Sequence, residues 1–253
     1  KTFDWHVAYF IGGGLGLLLL IARISVFESG IFLEVKDKAV DRGNFLQLFT
    51  NRERFRKFMG CIFIGLPIWF VIGILITFSP EFAKALHIDG LVAAGDAVMY
   101  SYIGLAVGDL SSGFISQYVR SRKKVVLAYI FLTLAVILLY LFTPGRSANY
   151  FYVTCFLLGV GVGYWALFVT IAAEQFGTNL RSTVATTVPN FIRGTVVPLS
   201  IAFRFLREEL GGTDMAVVYG ALIVGLFTIG VALVALTAIQ ETFGRDMNFL
   251  EEK

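Results

Sequence analysis

The sequence predicts an all-α integral membrane protein with seven transmembrane helices, and three observations carry that prediction: composition, the length of the apolar runs, and the placement of charge. Hydrophobic residues make up 57% of the 253 residues, charged residues only 15%, and the mean hydropathy is +0.77. A soluble domain of this size has too little interior to bury so much apolar surface, so lipid must serve as solvent. Crossing about 30 Å of hydrocarbon takes roughly 20 apolar residues in a helix, and the runs at 7–22, 58–78, 97–119, 125–143, 150–173, 182–203 and 216–239 come close to that length. They are continuous rather than alternating, which excludes a transmembrane β-barrel.

Taken in order, the first run is the shortest; Asp4, Trp5 and His6 complete it at one interface and Arg23 at the other. The connection 23–57 mixes apolar residues with eight Lys and Arg and is expected to lie as amphipathic helix along the inner membrane surface. The remaining six runs form two triplets of the same order: a glycine-rich span with a tryptophan, a span with one ionised residue, and a wholly apolar span. Gly65 to Trp69 (GLPIW) opens the first triplet and Gly161 to Trp165 (GVGYW) the second. Three spans per triplet make the second triplet enter from the opposite side, the 3+3 inverted repeat found in secondary transporters.

Alternate connections carry fifteen Lys and Arg on one side against five on the other, with Arg193 inside a span. The richer side is the cytoplasmic one. The tail 240–253 is therefore expected inside and the N-terminus outside, in a plasma (inner) membrane. Cations sit in a few clusters rather than along one stripe, which gives no nucleic-acid partner. Cys61 and Cys155 lie in apolar runs and read as packing residues, without a disulfide framework or a metal site. No cofactor is expected, and two histidines at span edges offer no haem ligation. The chain begins at Lys1 with no signal segment and reads as a fragment.

Asp109 and Arg193 stand well inside spans, where an ionised side chain costs several kcal/mol unless it is paired or faces water. Both lie roughly 15 Å from the cytoplasmic ends of their spans at 1.5 Å per residue. They are either a static ion pair, or a cavity cation for an anionic or hydroxyl-rich substrate with a neighbouring acid for gating or proton coupling. Around Arg193 the stretch TTVPNFIRGTVVP places Pro189, Asn190, Gly194 and Pro198 in mid-span, and a kinked or interrupted helix follows from the missing backbone donors. Such helices often line binding sites; the alternative is a plain proline kink. Tyr164, Trp165 and Trp69 supply rings for either packing or ligand stacking.

The stretch GDLSSGFISQYVRSRKK at 108–124 is where a family likeness emerges. It resembles the signature of major facilitator transporters at the cytoplasmic turn between the second and third helices of each half. Gly113, Ser116, Arg120, Arg122, Lys123 and Lys124 fall at the family's spacing, while Gln117 replaces the usual acid and Arg120 a usual glycine. Asp109, one turn earlier, can supply the acid instead. RISVFESGIFLE resembles the PESPR-type signature of sugar porters through Glu28 and Ser29, and EQFGTNLRS resembles ExxPTxxR through Glu174, Thr178 and Arg181.

The resemblance implies helix six in 1–24, a central loop in 25–57, a six-helix C-terminal half in 58–239 and a cytoplasmic tail in 240–253, with the N-terminal half of the same protein as partner. It further implies alternating-access transport of a small solute, a sugar or organic-acid metabolite, coupled to a proton. The substrate cavity would draw on Arg193, Asn190, Tyr164, Trp165 and Trp69. Gating or coupling would fall to Asp109, Gly113, Gln117, Arg120, Arg122, Lys123, Glu174, Arg181 and Glu28. The alternative of a different class is a seven-helix receptor or sensor, against which stand the long 23–57 connection and the absence of a loop disulfide. No HExxH, paired aspartates or serine-histidine pair suggests an enzyme.

Overall fold

The computed structural model describes residues 5–24, 43–246 and 249–251, and divides the chain into units 1–40 and 41–253. In the first unit, α1 (Trp5–Ile24) is an unbroken helix of 20 residues. Glu28 and most of the expected amphipathic loop lie outside the described residues.

The second unit is helical, apart from an isolated bridge between Asp89 and Ser147. Asn51 opens its first long rod by accepting from the Glu53 N–H, as a good N-cap does. That rod runs through α3 (Arg52–Ile64), α4 (Leu66–Phe70) and a π-helical turn (Val71–Ile76), preceded by the short α2 (Gln47–Thr50). It begins before residue 58, so 52–57, expected in the surface loop, are instead the first turns of a span. A short α5 (Ser79–Ala85) leads to α6 (Ala94–Val119) and α7 (Arg122–Leu141). The next rod is α8 (Ala148–Val162) and α9 (Trp165–Glu174), followed by α10 (Thr178–Gly194), α11 (Val196–Glu209) and α12 (Asp214–Ala238).

Six helical stretches among the described residues are long and apolar enough to cross a membrane. The seventh expected span, 182–203, is the exception. Pro198 has no N–H to offer the Gly194 carbonyl and its ring crowds that group, so the helix breaks at Thr195, whose N–H turns to Ile192 at 3.1 Å. Two helices of 17 and 14 residues result. Pro189, by contrast, is carried inside α10.

Close packing of α6 on α8 organises the unit. Gly104 and Gly108 on α6 face Gly159 on α8 and Gly163 at its C-terminal cap. A Cβ at Gly104 would run into the Phe156 carbonyl, at Gly159 into the Ser101 carbonyl, and at Gly163 into the Gly108 backbone. This is small-residue packing of the kind that joins helices in lipid, where apolar surface alone gives no preference for a partner. Tyr129 and Thr133 of α7 close the third side: the Tyr129 hydroxyl donates to Gly108 O at 3.2 Å and the Thr133 hydroxyl to Gly161 O at 2.7 Å. Cys61 and Cys155 are both buried and free.

Candidate functional site

Every break in the rods frees backbone groups, and in a bilayer each must find another partner. At Gly65 the helix tightens: Ile68 N–H bonds Gly65 O at 3.1 Å, leaving Ile64 O without its helical donor. The Tyr164 hydroxyl takes that carbonyl at 3.0 Å. Tyr164 is fully buried and edge-on to Tyr129. A ring so enclosed packs the helix crossing, the packing alternative that the sequence left open for Tyr164.

The second break falls at Gly163 and Tyr164, and α9 restarts at Trp165 with orphan N–H groups. Asp109 meets them from α6: its carboxylate accepts from Ala166 N–H at 2.9 Å. A carboxylate at a helix N-terminus is favoured both by the hydrogen bond and by the helix dipole. Among the described residues Asp109 forms no ion pair with Arg193, and the static-pair alternative is set aside on that geometry.

Trp69, Trp165 and Arg193 converge. The two indoles meet edge to face at 5.9 Å between centroids. The Arg193 guanidinium lies 5.8 Å from the Trp69 ring and 5.6 Å from the Trp165 ring, within cation–π range. Asn190, one turn earlier, accepts from Arg193 Nη1 at 3.1 Å. Together with Ile68, Ile72, Tyr102 and Leu105, these three residues line a cavity of about 120 Å³. Arg193 and Asn190 are exposed, and the Trp69 indole N–H is buried without a hydrogen-bond partner. The breaks before Trp69 and Trp165 and the α10–α11 break all adjoin this cluster, so irregular backbone occurs where the polar side chains gather.

A second grouping ties the cationic turn at 120–124 to the chain's end. Arg122 pairs with Glu174, both largely buried, and Glu174 also acts on Arg181 through space. Glu241 receives the Ser121 hydroxyl at 2.5 Å, Arg122 N–H at 3.0 Å and Lys123 N–H at 3.2 Å. Burial works against its charge, yet the Ser121 hydroxyl and the Phe243, Arg122 and Lys123 N–H groups hold the Glu241 carboxyl below its ordinary range. Lys123 Nζ donates to Ile239 O at 2.6 Å, and Gln175 Nε2 to Gln240 O at 2.7 Å. Further along, Arg54 pairs with Glu251 at 3.8 Å, and Asn179 Nδ2 donates to Glu251 O at 3.1 Å.

Of the expected gating residues, Arg122, Lys123, Glu174 and Arg181 are thus brought together. Gly113 and Gln117 stand apart on α6, Gly113 with open space where a Cβ would go and Gln117 exposed. Arg120 is exposed and caps α6 with φ 53°. The residues missed from sequence are Ser121, Gln175, Gln240, Glu241 and Glu251. Glu241 carried a usable signal, as an acid directly after the last apolar run and on the side of RSRKK.

No curated protein matches the chain closely enough to be reported as a relative. A family model for the Major Facilitator Superfamily matches residues 1–196. The match spans α1, the cationic turn with its Glu174 partner, and the break beside Arg193, and it favours no receptor. The chain belongs to the Major Facilitator Superfamily, a family of secondary transporters that move small solutes across membranes.

Proposed function

We propose that the six-helix unit is one half of an alternating-access transporter, paired with a second half of like size, and that it carries an organic-acid metabolite in preference to a neutral sugar. One observation supports this above the rest: an exposed guanidinium held between two indoles, with no carboxylate partner among the described residues. A fixed cation in a low-dielectric cleft favours an anion. The rings flank the guanidinium, and Asn190 holds Nη1, so an anion would meet its remaining N–H donors. The unpartnered Trp69 N–H adds a second donor.

Asp109 is proposed as the coupling acid. Its hydrogen bond to the restart of α9, which bears Trp165, would make the position of that ring depend on whether the carboxyl holds a proton. The Arg122–Glu174 pair and the Glu241 contacts are proposed as the cytoplasmic gate, holding the ends of three spans together in one state and parting in the other. The membrane in question would be the plasma membrane, with residue 253 inside.

The test is uptake of radiolabelled mono- and dicarboxylates by the complete transporter and its Arg193 variants. Losing a charge-assisted hydrogen bond costs about 1.5–3 kcal/mol, so Arg193→Gln is expected to lose roughly 10- to 100-fold in uptake efficiency. Arg193→Lys keeps the charge without the planar fork and should fall between. Unchanged kinetics in an Arg193→Gln protein that reaches the membrane would exclude the guanidinium from the site.

A further inference from the structure

A wide concavity lies away from the Arg193 cluster, between α3 and the second half of α12. It encloses about 960 Å³. Its walls are almost wholly apolar, with Met59 and Phe63 on one side and Phe227 and Val234 on the other, and its only charged lining residues are Arg52 and Arg56. Phe227 and Val234 are 61% and 71% exposed, so the groove opens outward.

Three features distinguish it from ordinary lipid-facing surface. The first is length. The α12 wall runs from Leu226 to Ala238, which at 1.5 Å per residue is about 18 Å, close to one leaflet's share of an approximately 30 Å hydrocarbon core. The second is level. Gly60 stands against Ala235, Ala238 and Ile239, and Lys123 Nζ binds Ile239 O where α12 leaves the apolar region. Arg56 lies one turn before Gly60 and Arg52 one turn before that, which puts both guanidiniums at the depth of a lipid headgroup. The third is charge. Glu53 is the acid on this stretch of helix and is bonded to Lys57 at 2.9 Å, with Arg56 acting on it only through space. Arg52 and Arg56 make no ion pair among the described residues.

We infer that this groove is a binding site for one anionic phospholipid, with its acyl chains along α12 and its phosphate between Arg52 and Arg56. Basic pockets between membrane helices recognise such headgroups, and guanidiniums one turn apart suit the bidentate geometry of a phosphate. The occupant completes the surface where the first and last rods of the unit meet.

Native mass spectrometry of the complete protein, released from vesicles of equimolar phosphatidylglycerol and phosphatidylcholine, reads this directly. One phosphatidylglycerol is expected to be retained in preference to phosphatidylcholine. With both arginines replaced (Arg52→Gln with Arg56→Gln), that preference should fall about tenfold. Gly230→Leu, placed where a Cβ meets nothing within 4 Å, fills the groove and should reduce retention of both lipids. Equal retention of the two lipids, or a preference unmoved by the double variant, would overturn the assignment. So would displacement of the lipid by inorganic phosphate, or a dimer that Gly230→Leu dissociates without changing lipid retention, since a second copy would then be the occupant.

Discussion

At φ 53°, Arg120 occupies a backbone conformation in which an L side chain crowds the following carbonyl, at roughly 1–2 kcal/mol per residue. The residue ends α6 and lets the chain reverse at once into Ser121, whose hydroxyl then caps α7 at Lys124 and donates to Glu241. The signature that this turn resembles usually has glycine here, a residue that adopts this conformation without strain. Arg120→Gly is accordingly expected to raise stability by about 0.5–1 kcal/mol, the relief of strain being partly offset by glycine's freedom in the unfolded chain. A thermal unfolding midpoint in detergent that stays level or drops would contradict that account. The importance of residue 120 was legible in the sequence as a departure from a pattern; its cause was not, because the sign of φ depends on how two helices are joined. Arg193 was legible too, since an ionised residue in mid-span is conspicuous on cost alone. Its aromatic partners were named, but nothing in linear order says that residues 69, 165 and 193 meet.

Broken spans are the shared device at the scale of elements. The rods at 52–76 and 148–174 each tighten at a glycine, and each frees a backbone group that a side chain from another rod satisfies: Tyr164 on Ile64 O, Asp109 on Ala166 N–H. Removing the second contact leaves the Ala166 N–H at the restart of α9 without its partner inside an apolar span, at a cost of about 1–3 kcal/mol. Asp109→Leu should therefore destabilise the unit by that order and disturb Trp165 fluorescence. Asp109→Asn retains an acceptor oxygen and should fold normally, while losing proton-coupled accumulation if the proposed coupling role is right. Full coupling in Asp109→Asn would assign the residue to capping alone. The glycine-rich openings of the two triplets were visible in sequence, whereas the break itself depends on local backbone hydrogen bonding that composition does not report. Conversely, 182–203 reads as one apolar run, yet Pro198 divides it at Thr195, and the start of the 52–76 rod was missed because its first turns carry Arg52, Glu53, Arg54, Arg56 and Lys57. Charge marked those turns as loop, and the helix exists there because its buried face, Arg54 included, is satisfied by Gln47 and Glu251.

For the whole molecule, membrane residence and helical class follow from composition and run length with little ambiguity, and the family match over 1–196 agrees. Contacts between distant segments were the least accessible to linear reading. The tail around Glu241 and Glu251 looked like a plain terminus, and it instead joins the cationic turn to α3 and α10. Two layers of polar contact then stand apart along the unit, the Arg193 cluster by the breaks and the Arg122–Glu174–Glu241 grouping at the cationic end. The first is the proposed site and the second the proposed gate, and that separation is what the proposal of alternating access requires. The most direct test is accumulation of a panel of organic acids and neutral sugars by proteoliposomes holding the complete transporter, with and without an imposed pH gradient. Gradient-driven accumulation of an organic acid, abolished by Arg193→Gln, is the expected result; gradient-independent uptake of a neutral sugar, indifferent to Arg193→Gln, would contradict the assignment of both substrate and coupling.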